Sequence, residues 1–360
     1  MSSNNTDSVV APAFVKNFRK VTPYTPGEQP QRKVIKLNTN ENPYGPAPGV
    51  EKVRNGIDID VLRLYPELES ASLSAAIAEY HGVPYEKVFA GVGSDDVLSM
   101  AFLTFFNSEK PIVFPDITYS FYPVWANVYK IPYREIPLKS DFTVDEDDYF
   151  CENGGVVIAN PNAPTSISMP LDKVEKIIRE NRDVVVIIDE AYVDFGGETA
   201  LGLVDKYQNL LVVRTFSKSR SMAGARIGYA IGSEILIKAL KDVKESVNSY
   251  TINTESIKMG IASIQDEDYF VEKVNQVVET RKWTASELEK LDFRVLDSSA
   301  NFLFASHAKM PAKDIFERLK EKDIFVRYFT KERIDNYLRI TIGTRKEMEL
   351  FIEALKSIIE

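Results

Sequence analysis

Between about residues 70 and 245 the chain alternates two kinds of apolar pattern. Helix-period spacing marks residues 70–80, 94–106, 120–129, 170–181 and 233–246, with Gly82 closing the first and Pro170 in the first turn of the fourth. Between them lie short β-branched runs at 112–114, 156–159, 184–188, 210–213 and 227–231 that are apolar at nearly every position. Runs of that kind suit strands covered on both faces. Their alternation with helices predicts an α/β domain with a mostly parallel sheet.

After residue 254 the pattern changes. One long helical stretch is expected to reach about residue 290, followed by short strands at 293–296, 301–304, 325–327 and 337–341 and helices at 312–320 and 346–358. This predicts a second, smaller α+β domain. The Pro- and Gly-rich stretch 22–49 is expected to run extended across both. The expected organisation is an N-terminal arm at 1–45 joining the small domain, a large domain at 46–253 and a small C-terminal domain at 254–360. Residues 1–12 read as a disordered tip without a secretory leader.

Composition narrows the function classes. A formal charge of −9 offers no global positive field for nucleic acid or anionic lipid. No apolar run approaches the roughly 20 residues that span a bilayer. One cysteine, Cys151, excludes an internal disulfide and fits a reducing, cytoplasmic location. Two histidines leave little room for a histidine-based metal site, so none is expected. His81, before Gly82, is expected to face a helix dipole, and His307 to be exposed.

The chemistry gathers where apolar runs end, since ligands of open α/β sheets bind beyond the carboxyl ends of strands. The run 156–159 delivers Asn160-Pro161-Asn162-Ala163-Pro164-Thr165; the run 184–188 delivers Asp189-Glu190-Ala191-Tyr192; the run 210–213 delivers Ser217-Lys218, with Arg226 eight positions on. A lysine so placed can hold a phosphorylated aldehyde as a Schiff base, while a hydroxyl and an arginine hold the phosphate. Gly91-Val92-Gly93-Ser94-Asp95-Asp96 opens a helix and presents free backbone N–H groups, a natural phosphate seat. With Asp96 in the third glycine's place it is not a dinucleotide fingerprint. Taken singly, Asp189 could be a helix cap, Asn-Pro-Asn a plain turn, Tyr192 a core residue and Arg226 a surface ion pair. Together at successive strand ends they describe a site.

At these residues the chain resembles the fold-type I pyridoxal-phosphate (PLP) aminotransferases, and within them the histidinol-phosphate aminotransferase family. The likeness runs from Thr22-Pro23-Tyr24 through Asn38-Thr39-Asn40-Glu41-Asn42-Pro43, Tyr65-Pro66, Gly93-Ser94-Asp95, Thr118-Tyr119, Asp189-Glu190-Ala191-Tyr192, Ser217-Lys218 and Asn301-Phe302 to the segment Tyr337-Leu338-Arg339-Ile340-Thr341-Ile342-Gly343-Thr344. It implies that Lys218 binds the cofactor covalently and shuttles the substrate proton, and that Asp189 pairs with the pyridinium nitrogen. Asn162 and Tyr192 would bond the ring's phenolate oxygen, and Tyr119 would stack on the ring. Ser217, Arg226 and the amides of Ser94 and Asp95 would hold the phosphate. Tyr65 would reach the neighbouring subunit's cofactor, which implies a homodimer. Arg339 would grip the substrate α-carboxylate, while Arg327, Tyr24 and Asn162 would also face substrate.

Amino transfer between L-histidinol phosphate and 2-oxoglutarate is the activity this resemblance implies. An aminotransferase for aromatic or other amino acids and a phosphothreonine decarboxylase share the scaffold. Three departures bear on specificity. Ala163 and Ser166 stand where the family usually has asparagine and glycine, Leu64 where arginine is frequent, and Arg220 where many relatives carry an aromatic residue.

Overall fold

The computed structural model describes residues 13–359, so the expectation for residues 1–12 lies outside the described residues. In chain order the regular elements are β1 (Ile35–Leu37), α1 (Pro48–Asn55), α2 (Ala71–His81), β2 (Val88–Gly91), α3 (Gly93–Phe105), β3 (Ile112–Pro115), α4 (Phe121–Tyr129) and β4 (Tyr133–Ile136). They continue with β5 (Val156–Ala159), α5 (Leu171–Glu180), β6 (Val186–Asp189), β7 (Leu210–Thr215), β8 (Gly228–Gly232) and α6 (Glu234–Val247). The remainder is α7 (Thr254–Gln265), α8 (Glu267–Glu289), β9 (Phe293–Val295), β10 (Phe302–His307), α9 (Ala312–Glu321), β11 (Ile324–Tyr328), β12 (Leu338–Thr341) and α10 (Arg345–Ile359).

Seven strands form the larger sheet in the order β2-β8-β7-β6-β5-β3-β4. The pairs from β7 through β4 are parallel, and β8 runs antiparallel to both its neighbours. The apolar runs explain the layering. In β5, Val156 and Ile158 join one core cluster while Val157 and Ala159 join the other; Val186 and Ile188 part from Ile187 in the same way in β6. Successive side chains of a strand point to opposite faces, so a strand with helices on both sides must be apolar throughout. Each buried Val, Ile or Leu contributes roughly 1.5–3 kcal/mol by leaving water.

One edge strand escapes that pattern. In β4 only Ile136 is buried, because its outer face meets solvent. The other edge strand, β2, keeps the pattern, with Val88 in one cluster and Phe89 in the other, but at four residues it is too short for the sequence reading to mark. Likewise α1 begins with Pro48, at the end of the stretch expected to be extended; proline fits a first turn, where its missing N–H is not needed.

The smaller sheet is β1-β11-β12-β10-β9, parallel only between β1 and β11. Its core gathers Leu303, Ile340, Phe351 and Leu355. The single long helix expected after residue 254 is two, α7 and α8, broken at Asp266 (φ −102°, ψ 64°). Acidic residues in the first turn of α8 suit a new helix start there. The expected boundary at 253/254 falls just ahead of α7, which packs on α1 and α2, with Ile257, Ala262 and Ile264 in the larger sheet's core. Among the described residues no helix is long and apolar enough to cross a membrane.

Both histidine expectations are corrected. His81 does end α2, but its ring bonds the Tyr229 hydroxyl at 2.8 Å. Burial, helped by Arg214 and Arg220, pushes it down to about 3, so it is a neutral bridge and not a charge on the helix dipole. His307 is buried on β10, and its Nδ1 accepts the backbone N–H groups of Lys309 and Met310.

Candidate active site

Three parallel strands end side by side: Ala159 stands opposite Asp189, and Asp189 opposite Val213. The loops beyond them open into a cleft of about 260 Å³. Asp189, Tyr192, Ser217 and Lys218 line it from the larger sheet, Arg327 and Arg339 from the smaller one.

Asp189 is buried, and both its oxygens are engaged. Oδ1 accepts the Ala191 N–H at 3.1 Å and Oδ2 accepts the Tyr122 O–H at 2.9 Å. Burial pushes the carboxyl up to about 6; the two hydrogen bonds oppose that rise, and the charges of Asp95 and Glu190 add to it. Beside it, Glu190 accepts from Arg214 Nε at 2.9 Å, Arg214 reaches Asp194 at 3.4 Å, and Ser219 Oγ donates to Asp194 Oδ2 at 2.5 Å. This chain of charges ties the loop after β6 to the loop that carries Lys218. A buried ion pair of this kind adds little net stability, but loss of one partner leaves a costly unpaired charge.

Lys218 Nζ lies 3.4 Å from the Thr39 carbonyl oxygen and 5.6 Å from the centre of the Tyr192 ring. Asn42 Nδ2 fixes the lysine's backbone by donating to the carbonyl oxygens of Lys218 and Ser219 at 3.0 and 3.3 Å. Across the cleft, Asn40 Nδ2 donates to the Tyr192 hydroxyl oxygen at 2.9 Å. With that lone pair occupied, the tyrosine's own hydrogen is free to turn into the cleft.

At one end of the cleft α3 begins. Asp96 accepts the Val92 N–H at 2.9 Å and pairs with Lys244 at 2.7 Å, which anchors the helix start. Asp95 accepts from Tyr119 O–H at 2.7 Å and pairs with Arg226 at 3.0 Å. Ser94, Asp95, Ser217 and Arg226 all line this end. Two glycines permit the approach: a Cβ on Gly228 would lie 2.2 Å from Ser94 N, and one on Gly93 2.5 Å from Arg226 Nη2. A helix N-terminus, two hydroxyls and a guanidinium converging on one point make an anion seat. A phosphorylated aldehyde fits this donor set, in a cleft that Lys218 and the carboxylate of Asp189 also line.

At the open end Arg327 and Arg339 stand opposite each other in the β11–β12 ladder. Arg327 donates to the carbonyl oxygens of Thr25 and Pro26, both at 3.1 Å. Arg339 donates to Asn38 O at 3.0 Å, while its Nε is buried without a hydrogen-bond partner. Tyr24 stacks on Phe121 at 4.3 Å and closes this side.

Two expected residues are not brought into the cleft. Asn162 turns away from it: its Nδ2 donates to Ile117 O and Thr165 Oγ1, each at 2.9 Å, and its Oδ1 accepts from Thr118 at 2.7 Å. Its neighbour Ala163 forms the wall instead. Tyr65 is 84% exposed and packs tilted against Tyr250, ring centres 5.0 Å apart, away from this chain's own cleft. Conversely, Tyr122 and Asn40 had no assigned role. Tyr122 reads as one more apolar position of α4, and no local pattern marks it; Asn40 carried a signal, lying in the polar run Asn38-Thr39-Asn40-Glu41-Asn42.

Residues 32–355 match the family described as aminotransferase class I and II. A histidinol-phosphate aminotransferase of Clostridium botulinum is 50% identical over 342 residues, covering 95% of this chain and 97% of that protein. One from Lactococcus lactis is 50% identical over 349 residues, covering 97% and 98%. Among solved structures, a histidinol-phosphate aminotransferase of Sinorhizobium meliloti in complex with pyridoxal-5'-phosphate superposes with a TM-score of 0.84 at 23% identity, covering 91% of this chain and 92% of that one.

Proposed function

We propose, for a chain that belongs to the class I and II aminotransferase family, the transfer of an amino group from L-histidinol phosphate to 2-oxoglutarate with pyridoxal phosphate as cofactor. When bound, pyridoxal phosphate supplies an aldehyde for the amino group and a ring that draws electron density from the substrate Cα. The chain's own groups do the rest. The α3 N-terminus, Ser217 and Arg226 would hold the phosphate, each charge-assisted hydrogen bond contributing roughly 1.5–3 kcal/mol. Asp189 would pair with the ring nitrogen and favour a proton there. Tyr192, oriented by Asn40, would donate to the ring oxygen. Lys218 Nζ would hold the cofactor at its aldehyde and would take and return the proton at the substrate Cα.

The observation that carries the substrate assignment is the facing pair Arg327 and Arg339 in the cleft that Lys218 also lines, one with an unpartnered buried Nε. Two guanidinium groups can clamp a phosphate monoester in one half-reaction and the two carboxylates of glutamate in the other. Tyr24 closes over the phosphate side.

A second copy of the chain fits this reading. Tyr65, Leu62, Leu64 and Ile59 are exposed together on one stretch, a surface that supports a homodimer in which Tyr65 reaches the partner's cofactor phosphate.

The test is a single-turnover assay of the cofactor-loaded protein with L-histidinol phosphate, L-phenylalanine or O-phospho-L-threonine. Loss of the aldehyde absorbance with L-histidinol phosphate, and keto product without carbon dioxide, is expected. Conversion by phenylalanine alone, or carbon dioxide release from phosphothreonine, overturns the assignment. Borohydride should fix the cofactor to the peptide containing residue 218, and Lys218→Ala should bind cofactor yet lose transfer by several orders of magnitude.

A further inference from the structure

Behind the cleft wall, Tyr122 of α4 is fully buried among Phe102, Phe114 and Trp125. Its one polar atom is not wasted on solvent: the hydroxyl points to Asp189 Oδ2 at 2.9 Å. The neighbouring Tyr119 is turned the other way and donates to Asp95. Burial and the adjacent carboxylate hold the Tyr122 phenol well above the ordinary tyrosine range, so it stays protonated and can only donate here.

The inference rests on the reading above that Asp189 faces the cofactor's ring nitrogen. A carboxylate and a ring nitrogen in contact share one proton, which resides on the more basic of the two. The protein environment of Asp189 pulls in both directions. Burial and the negative charges of Asp95 and Glu190 make the carboxylate more basic; the Ala191 N–H and the Tyr122 O–H make it less so. A hydrogen bond to the charged form of an acid favours that form. Between two groups as buried as these the effect of one such bond is large.

We propose that Tyr122 is a positioning residue of the amino transfer: its hydroxyl, donating to Oδ2, keeps Asp189 anionic so that the shared proton stays on the ring nitrogen. The ring then withdraws electron density from the substrate Cα at full strength. No bond to Tyr122 forms or breaks in the cycle, and its proton never leaves it. Ala191 fixes the other oxygen through backbone, which no side-chain substitution can remove, so Tyr122 is the adjustable donor of the pair.

The experiment loads wild type, Tyr122→Phe and Tyr149→Phe with pyridoxal phosphate labelled with nitrogen-15 in the ring and records the ring-nitrogen resonance. Tyr149 is the control, a fully buried tyrosine whose hydroxyl has no hydrogen-bond partner. The Tyr122→Phe resonance should move downfield, toward the unprotonated position, while Tyr149→Phe matches wild type. The half-reaction of Tyr122→Phe should slow about tenfold, the size of one hydrogen bond to a charged group. A Tyr122→Phe resonance coincident with wild type overturns the proposal. A wild-type resonance already at the unprotonated position is a different failure, because it removes the Asp189 assignment beneath it. If Tyr122→Phe does not fold, 3-fluorotyrosine at position 122 keeps the shape and makes a stronger donor; an upfield move then supports the proposal and no move overturns it.

Discussion

Asn40 and Tyr192 are joined by a 2.9 Å hydrogen bond that couples the smaller sheet to the cofactor wall of the larger one. Asn40 sits at φ +55° and is itself pinned from the small sheet: its N–H bonds Thr341 Oγ1 at 3.0 Å, and its carbonyl oxygen accepts from Asn301 at 3.0 Å. Tilting the small sheet therefore moves the group that aims the Tyr192 hydroxyl. Asn40→Gly keeps the left-handed backbone at little cost and removes the amide with its bonds to Tyr192 and to Thr341 Oγ1. Cofactor affinity should fall roughly three- to tenfold, the size of about one net hydrogen bond, measured by fluorescence titration; unchanged affinity would mean Tyr192 needs no such aim.

Asn162 answers to a different test. Its amide bonds Ile117, Thr118 and Thr165 and not the cleft. Asn162→Ala should cost about 1–3 kcal/mol in chemical denaturation, as a buried network loses its centre, with cofactor affinity within about twofold of wild type. A large loss of affinity at unchanged stability would return this asparagine to the ring.

Gly228 has no room for a side chain, since a Cβ there would press on Ser94 N at 2.2 Å. Gly228→Ala must push the start of α3 away from Arg226. Cofactor affinity should drop at least about tenfold, because several charge-assisted bonds to one phosphate are misaligned together. Equilibrium dialysis against pyridoxal phosphate reads this directly, and wild-type retention would show that α3 can shift without cost.

His81 contributes to the acid side of the stability profile, because the fold holds it down to about 3 from an ordinary value of 6.5. Between those limits the unfolded chain binds a proton that the folded one refuses, so stability is present above about 6.5 and is lost as the pH falls toward 3. The slope is at most about 1.4 kcal/mol per pH unit. His81→Gln should flatten that slope in urea unfolding between pH 5 and 7.5. Asp189 opposes it: its raised carboxyl takes up a proton on folding between 3.8 and about 6, so its share of stability declines as pH rises through that window. Parallel slopes in wild type and His81→Gln would rule the histidine out as the cause.

Much of the architecture was legible in the chain. Strands β3, β5, β6, β7 and β8 announced themselves because two covered faces demand unbroken apolar runs, and the polar groups at their ends followed from the same reading. The edge strand β4, with one buried residue, left no such trace. Neither did the break at Asp266, because helix-period spacing continues on both sides of it.

What local sequence determined by itself was which residues end strands, and hence that Asp189, Ser217 and Lys218 would meet. Strand register is a matter of repeating apolar pattern, and pattern is written along the chain. Only the tertiary structure decided where side chains turn. It set Asn162 toward Thr118 and left Ala163 as the wall, placed Asn40 on Tyr192 from 152 residues away, and aimed Tyr122 at Asp189 across 67. Those choices depend on which donors and acceptors become neighbours after packing, and a buried polar atom takes whichever partner the fold brings within reach.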